Sequence, residues 1–343
     1  MKINQEYIKE FSAKLLAIPS PTGYSHKAIE FLKQEAEFLG FDCRVNPKGN
    51  LMIYVSGSDS QKTVGISGHV DTLGLMVRSI SSSGTLKVTN LGGPIIPTLD
   101  GEYCTVITRD EKMYSGTILF TSPSQHVHKD ASSGVRNIDT IEVRLDEIVK
   151  NKEDVEKLGI FNGDFVAIDP KTTWTDSGFI KSRFLDDKIS VAIMFAVLKQ
   201  LKEESIQPKN NHIFIISTFE EVGHGTSWIP EEIEEMLAVD MGCIGLDLSC
   251  TEYDVSICAK DSSGPYDYQM TSDLIDLAKK EQCSYAVDIY PMYGSDVSAA
   301  LRAGQNIKGA LIGPGVHASH GMERTHMDAI ISTMKLLYAY IKN

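Results

Sequence analysis

The chain has 343 residues, 42% hydrophobic and 23% charged, which is typical of a folded globular protein. Its formal net charge of −13, without any cluster of Lys and Arg, excludes the basic surface that a nucleic-acid partner needs. No stretch of about 18 uncharged apolar residues occurs, so the sequence predicts neither a signal peptide nor a membrane partner. We therefore expect a cytoplasmic location.

The length exceeds the roughly 250 to 300 residues at which a single core stops growing, which predicts two domains. The cysteines are spread over the whole chain without a CxxC pair, which predicts free thiols in a reducing compartment. Nothing in their pattern marks any of them as a nucleophile. They are Cys43, Cys104, Cys243, Cys250, Cys258 and Cys283.

Two helices are predicted at the start of the chain. An apolar stripe at helical spacing runs from Tyr7 to Leu15, and Ser25 is predicted to cap a second helix that ends at Gly40. The segments DCRV and NLMIYV then predict a hairpin. The next segment, TVGISGHVDTLG, predicts a buried strand, marked by Val64 and Ile66, that runs into a turn containing His69.

From 73 to 174 the pattern changes to short alternating segments separated by Gly, Ser and Pro. Examples are LKVTNL, KMYSGTILF and TIEVRL. This region is predicted to be an inserted all-β domain resembling a small barrel. Residues 1–72 and 175–343 would form a discontinuous second domain.

The second half alternates between predicted helices and strands. A strong helix follows SRFLDD, and HIFIIST and CIGLDLS are predicted as strands with a short acidic helix, PEEIEEML, between them. The alternation continues to a closing helix that starts at His326. The fold class is therefore predicted to be α/β, a mixed central sheet flanked by helices.

Polar side chains cluster where the predicted strands end, and such strand ends are where ligands bind in α/β sheets. Imidazole and carboxylate groups without Cys suit Zn, Co or Mn. Individually, each group also has an ordinary explanation as a hydrogen-bonded turn, a helix cap or a solvated loop. The candidates are His69, Asp71, Asp186, Asp187, Glu220, Glu221, Asp247 and His320.

Six ordered motifs resemble the M42 metallo-aminopeptidases over nearly the whole chain: GHVDTLG, SRFLDDK, TFEEVGHG, GLDLS, GSDVSAALRAG and ASHGMERTH. The resemblance implies a zinc-peptidase-like fold, two divalent ions per subunit and peptide substrates. Zn is the first choice of metal, with Co or Mn as alternatives. It also implies a homo-oligomer, from dimer to dodecamer, with the β insert serving assembly and substrate access.

The resemblance implies a division of roles among the candidates. One ion would be bound by His69, Asp247 and the bridging Asp186, and the other by Glu221, His320 and the same Asp186. Glu220 would be the general base that acts on a water bridging the two ions. Asp71 would orient His69. A cis peptide bond is predicted between Asp186 and Asp187.

Several histidines stay outside this set. His224 follows EEVG, where many family members carry another residue, and is predicted to be inert or to touch substrate. His317 is a rival to His320, which matches the family's position. His126 and His128 are discounted as ligands because they share one strand without carboxylate neighbours.

Two other functions remain open. A glycoside hydrolase of the endoglucanase kind would also use paired carboxylates, but it needs no His ligands. A non-catalytic assembly protein is the third possibility. Loss of peptidase activity on chelation would distinguish the metallo-aminopeptidase from the glycoside hydrolase. A Glu220→Gln substitution without any effect would indicate the assembly protein.

Overall fold

The computed structural model describes residues 3–59 and 61–342. The chain forms two compact units, one that runs up to Asp71 and resumes at Lys171, and one that comprises Thr72–Pro170. In the part of the chain that is described, no helix is both long and apolar enough to cross a membrane.

The helices alternate with strands in the first unit. They are α1 (Gln5–Ala17), α2 (His26–Phe38), α4 (Leu185–Glu203), α5 (Tyr268–Lys280), α6 (Asp296–Arg302) and α7 (Met327–Lys342), whereas α3 (Lys152–Leu158) lies in the second unit. Two short 3-10 turns lie at Ile96–Leu99 and Glu220–Val222.

The strands up to the end of the second unit are β1 (Asp42–Val45), β2 (Leu51–Val55), β3 (Thr63–His69), β4 (Gly74–Ile80), β5 (Leu86–Leu91), β6 (Tyr103–Ile107), β7 (Met113–Phe120), β8 (Ile141–Leu145) and β9 (Phe165–Ile168). The later strands are β10 (Thr173–Trp174), β11 (Phe179–Ser182), β12 (Asn211–Ser217), β13 (Ile233–Val239), β14 (Gly242–Cys243), β15 (Val255–Asp261), β16 (Gly264–Pro265), β17 (Tyr285–Ile289), β18 (Lys308–Val316) and β19 (Glu323–His326).

The first unit is built on a mixed ten-stranded sheet in the order β1-β2-β12-β3-β13-β18-β15-β16, with β14 beside β18 and β17 beside β15. Its central strands β12, β3, β13 and β18 are parallel. Alternate residues of a strand face opposite sides of the sheet, and in β12 both Ile213 and its neighbour Phe214 are buried. Both faces are therefore covered, which confirms the predicted fold class.

The second unit is a closed barrel of six antiparallel strands, β4-β5-β8-β7-β6-β9. The insert was predicted to extend to 174, whereas this unit ends at Pro170. The difference arises because β10 pairs with β11 of the other unit's small sheet, β10-β11-β19.

The sequence prediction is wrong between 230 and 250. The segment predicted as an acidic helix is strand β13, which pairs in parallel with β3 and β18. Its acidic residue Glu235 lies near the start of the strand, where its carboxylate pairs with Lys62 at 2.7 Å and accepts a hydrogen bond from the Tyr340 hydroxyl at 3.0 Å. In CIGLDLS, predicted as the following strand, only Cys243 belongs to a strand, the two-residue β14.

Candidate metal centre and catalytic turn

The candidate side chains converge at the carboxyl ends of three parallel strands. His69 is the last residue of β3 and pairs with Ser217, the last residue of β12. Glu220 and Glu221 follow β12 in a 3-10 turn, and Asp240 directly follows β13. The shared direction of the strands therefore brings groups that are distant in sequence to one edge of the sheet.

His69 is oriented by the backbone of its own segment. Its Nδ1 lies 2.9 Å from the carbonyl oxygen of Asp71, and because a carbonyl can only accept, Nδ1 carries the proton. The other ring nitrogen, Nε2, lies 3.1 Å from Asp186 Oδ1 and 3.7 Å from Glu220 Oε2. Nδ1 is thus engaged by the backbone, and Nε2 is the nitrogen that would be available to a metal ion once it has lost its proton.

Asp186 faces two imidazole rings with its two oxygens. Oδ1 lies 3.1 Å from His69 Nε2, and Oδ2 lies 3.6 Å from His320 Nε2. His320 Nε2 also lies 3.8 Å from Glu221 Oε2. Burial would raise the pKa of Asp186, but hydrogen bonding to His320 and His69 outweighs it and holds that pKa below its ordinary value.

The peptide bond between Asp186 and Asp187 is cis, which confirms the prediction. Asp187 is fully buried, and its Oδ2 accepts a hydrogen bond from the backbone N–H of His69 at 3.1 Å. Burial, with the charge of Asp240 adding to it, raises the pKa of Asp187 well above its ordinary value.

Asp71 binds the glutamate turn rather than the ring of His69. Its Oδ1 accepts from the backbone N–H of Glu220 at 3.1 Å, and its Oδ2 accepts from the N–H of Glu221 at 3.3 Å and from the Thr22 hydroxyl at 2.8 Å. The same carboxylate is 3.7 Å from His69 Nδ1. The carbonyl of Asp71 orients the histidine while its carboxylate holds the turn.

The glycines of EEVGHG allow this turn to form. Gly223 ends it with φ of +82°, in the left-handed region that glycine adopts without strain. A Cβ at Gly225 would lie 2.4 Å from Asp296 Oδ1, so a side chain there would collide. Between them, His224 is exposed and its ring stacks on Phe219 with centroids 5.0 Å apart.

The structure differs from the sequence prediction at Asp247. Asp247 is exposed and lies in a turn with φ of +62°. Asp240, which the prediction missed, is buried, and its carboxylate lies within 4.8 Å of ligand atoms of His69 and Asp187. Asp240 was missed because β13 was assigned as a helix, so the aspartate at its carboxyl end did not look like a strand-end residue.

Glu323 is a second residue that the sequence analysis overlooked. It is buried, and its two oxygens accept from the backbone N–H groups of His320 and Asp186, each at 3.0 Å. Burial and the charge of Asp186 raise the pKa of Glu323 to about 8. The one feature of the sequence that could have identified Glu323 is its position three residues after the candidate ligand His320.

The rival histidines lie in other settings. His317 is exposed, and its backbone pairs with Arg324. The ring of His326 accepts from the N–H of Asp328 at 3.1 Å, as expected at a helix start. His126 is exposed in the second unit.

The residues present suit divalent cations. The ligand atoms of His69, Asp186 and Glu221 lie within 4.8 Å of one another. Atoms that share a tetrahedral ion at bonds of about 2.1 Å lie about 3.4 Å apart, and the nitrogen-to-oxygen distances of 3.1, 3.6 and 3.8 Å bracket that value. Glu221 Oε1 is buried without a hydrogen-bond partner in the described chain, as expected for an oxygen that serves a metal.

The crowded carboxylates are costly unless a cation neutralises them. Burial raises the pKa of Glu220 and Glu221 well above their ordinary values, with neighbouring acidic groups adding to the effect. Burial and Asp186 together raise the pKa of Asp240 to about 7. A bound cation would stabilise the ionised forms of this set.

Known proteins are similar to this chain over nearly its whole length. The family model of the M42 glutamyl aminopeptidases matches residues 49–336. The putative aminopeptidase YhfE of Bacillus subtilis is 46% identical over 340 residues, which are 98% of this chain and 97% of that protein.

Two solved structures show the same fold. The aminopeptidase APDkam598 of Desulfurococcus kamchatkensis superposes with a TM-score of 0.88 at 22% identity, covering 99% of this chain and 95% of that one. The TET1 peptidase of Pyrococcus horikoshii, which can assemble into a tetrahedron or a large octahedral shell, gives a TM-score of 0.83 at 20% identity and covers 98% of each chain. The family match and the close relative together show that this chain belongs to the M42 family and is a metal-dependent aminopeptidase, a hydrolase of the exopeptidase class.

Proposed function

We propose that the enzyme removes N-terminal residues from peptides with two divalent ions that share Asp186. His69 and Asp240 would complete one site, and Glu221 and His320 the other. The observation that carries this assignment is the position of Asp186, whose two oxygens face the two imidazole rings at 3.1 and 3.6 Å. Asp240 replaces Asp247 in the predicted set because Asp240 is the buried one.

Glu220 is the general base in this proposal. Two bound ions would polarise the scissile carbonyl and lower the pKa of a bridging water. The Glu220 side chain is 13% exposed, so its carboxylate can reach a water in the cleft. A carboxylate in that position can take a proton from the water and return it to the leaving amine.

Asp71 is a positioning residue. Because its carboxylate binds the backbone N–H groups of both Glu220 and Glu221, it fixes the separation between the proton carrier and the ligand. The carboxylate wall of the cleft favours a protonated amine, which supports binding of a free peptide N-terminus. An enzyme that binds the free N-terminus of a peptide in this way would remove terminal residues and would not cleave internal bonds.

Assembly, metal identity and location are further parts of the proposal. Zn is the first choice for an imidazole and carboxylate set, with Co and Mn as alternatives. We propose a homo-oligomer whose β-barrel unit serves assembly and substrate access, as the shells formed by the Pyrococcus horikoshii relative suggest. The free cysteines support a reducing, cytoplasmic location.

We test the proposal by measuring the hydrolysis of a panel of aminoacyl p-nitroanilides. The enzyme is first treated with EDTA, and Zn, Co and Mn are then added separately. We expect activity to vanish with EDTA and return with at least one metal. Glu220→Gln should retain bound metal but lose turnover by about 10²- to 10⁴-fold. Glu231→Gln, an exposed glutamate, is the matched control and should match the wild type.

Two results would contradict this function. Release from no anilide with any metal would overturn the aminopeptidase assignment and leave the assembly protein as the alternative. Hydrolysis of a glucan that persists in EDTA would instead favour the glycoside hydrolase, whose chemistry needs two carboxyl groups and no metal.

A further inference from the structure

Ser25 occupies the N-cap position of α2, as predicted, but it does not cap the helix. Its φ and ψ are −103° and −2°, and its side chain makes no capping hydrogen bond. The residue is only 6% exposed, and its Oγ is buried without a partner among the described residues. A buried hydroxyl without a partner is unfavourable, so a ligand that hydrogen-bonds to it would be stabilised.

Ser25 lies in the wall of a cavity of about 330 Å³ that adjoins the catalytic turn. The cavity is also lined by Lys48 and by Phe219, the residue before Glu220. The segment that leads into α2 is itself tied to the site, since the Thr22 hydroxyl donates to Asp71 at 2.8 Å. The cavity therefore lies beside residues assigned to the reaction.

The polar groups around the cavity favour an anion. Lys48 lines the cavity, and its ammonium, which has three N–H donors, donates to the carbonyl of His224 and to the Ser227 hydroxyl, the latter at 3.0 Å, and lies 5.9 Å from the centre of the Phe219 ring. The first turn of α2 contains no acidic residue, and a helix N-terminus attracts negative charge. Glu30 lies on the rim one turn further on, where the Gln34 amide donates to its carboxylate at 2.8 Å.

We propose that this cavity binds the C-terminal carboxylate of a short peptide, with Ser25 Oγ, the first N–H groups of α2 and the Lys48 ammonium as donors. The inference rests on the proposed aminopeptidase function, which places the peptide's amino end at the metal centre. An extended peptide spans about 3.3 to 3.6 Å per residue, so only certain lengths can reach both ends at once. The enzyme would thus select short peptides by length.

The test compares kcat/KM for peptides Leu-(Ala)n that end in a free carboxylate or in an amide. The wild type should prefer the free acid by about tenfold or more at one chain length, since hydrogen bonds to charged groups contribute at least that factor. Ser25→Ala and Lys48→Met should each move the acid-to-amide ratio toward one. A general loss of activity caused by either change would lower kcat/KM for the acid and for the amide equally, so it would not alter the ratio.

Lys33→Met is the matched control, because this α2 lysine pairs with Glu37 and does not line the cavity. It should keep the wild-type ratio. A wild-type ratio of one at every length, or a ratio that neither variant changes, would overturn the inference.

The wild type could instead prefer amidated peptides with an internal Asp or Glu, and Lys48→Met could remove that preference. This result would assign the cavity to acidic side chains and would also overturn the proposal that it binds a C-terminal carboxylate. Leu-p-nitroanilide has no carboxylate and reports on the reaction alone. Its hydrolysis with an acid-to-amide ratio of one would reject the cavity but not the function, whereas release from no anilide of the panel with any metal would reject the function itself.

Discussion

The carboxylate of Asp71 binds the backbone N–H of Glu220 at 3.1 Å, so the proposed general base is held by an aspartate from a different strand end. The second oxygen of Asp71 binds the next residue of the same turn at 3.3 Å. The orientation of both glutamates therefore depends on one buried carboxylate.

Replacement of Asp71 by Asn should misplace the glutamate turn. The amide keeps only one acceptor oxygen, and its NH₂ group would face a backbone N–H that also needs an acceptor. We expect turnover to fall by about 10- to 100-fold while bound metal is retained, as for other residues that orient a site. Anilide kinetics with metal analysis checks this. Thr22→Val removes only the hydroxyl that donates to the same carboxylate and should have a smaller effect.

The correction from Asp247 to Asp240 predicts opposite outcomes for two similar substitutions. Asp240→Asn removes a buried carboxylate close to His69 and should lower the metal content from two ions to about one per chain, because a carboxylate ligand is lost. Asp247→Asn changes an exposed turn residue and should leave metal content and turnover unchanged. Metal loss in Asp247→Asn but not in Asp240→Asn would reverse the assignment.

Glu323→Gln should weaken metal retention without removing a ligand. The glutamate accepts from the N–H groups of both His320 and Asp186, and the amide would replace one acceptor by a donor. Metal affinity should fall by about 10- to 100-fold, the usual range for residues that orient ligands. Competition with a chelating dye measures this, and Glu231→Gln is the control. Unchanged affinity would show that Glu323 has no role in orienting the ligands.

His212 should make the stability of the first unit depend on pH. It lies at the start of β12, and burial lowers its pKa from 6.5 to about 4. The unfolded chain therefore binds a proton in this range that the folded chain does not. Its contribution to the free energy of unfolding is complete above about pH 6.5 and is lost as pH falls toward 4, by up to about 3 kcal/mol.

Urea unfolding of metal-free protein at pH 7 and pH 4.5 tests the role of His212. His212→Gln should lose less stability between these two values than the wild type does, because Gln does not titrate. His126→Gln changes an exposed histidine and should follow the wild type. Equal losses in all three proteins would contradict the prediction.

Much of the fold could be predicted because its signals are local. The helical stripe of α1, the alternating strands of the barrel and the apolar run of α4 each follow from the spacing of side chains along one segment. Strand β13 could not be predicted in this way. Its two acidic residues suggest a helix, and only pairing with β3 and β18, with Lys62 and Tyr340 beside Glu235, makes it a strand.

Residue types and the motifs around them were enough to predict the chemistry of the proposed site, since His69, Asp186, Glu221 and His320 are recognisable in this way. The choice of the aspartate that accompanies them in the proposal, and the contacts of Asp71, depend on the tertiary structure. Ligand choice depends on distances between residues far apart in the chain, and these distances are set by parallel strands that end at a common edge. A local pattern cannot distinguish Asp240, buried at a strand end, from Asp247, exposed in a turn.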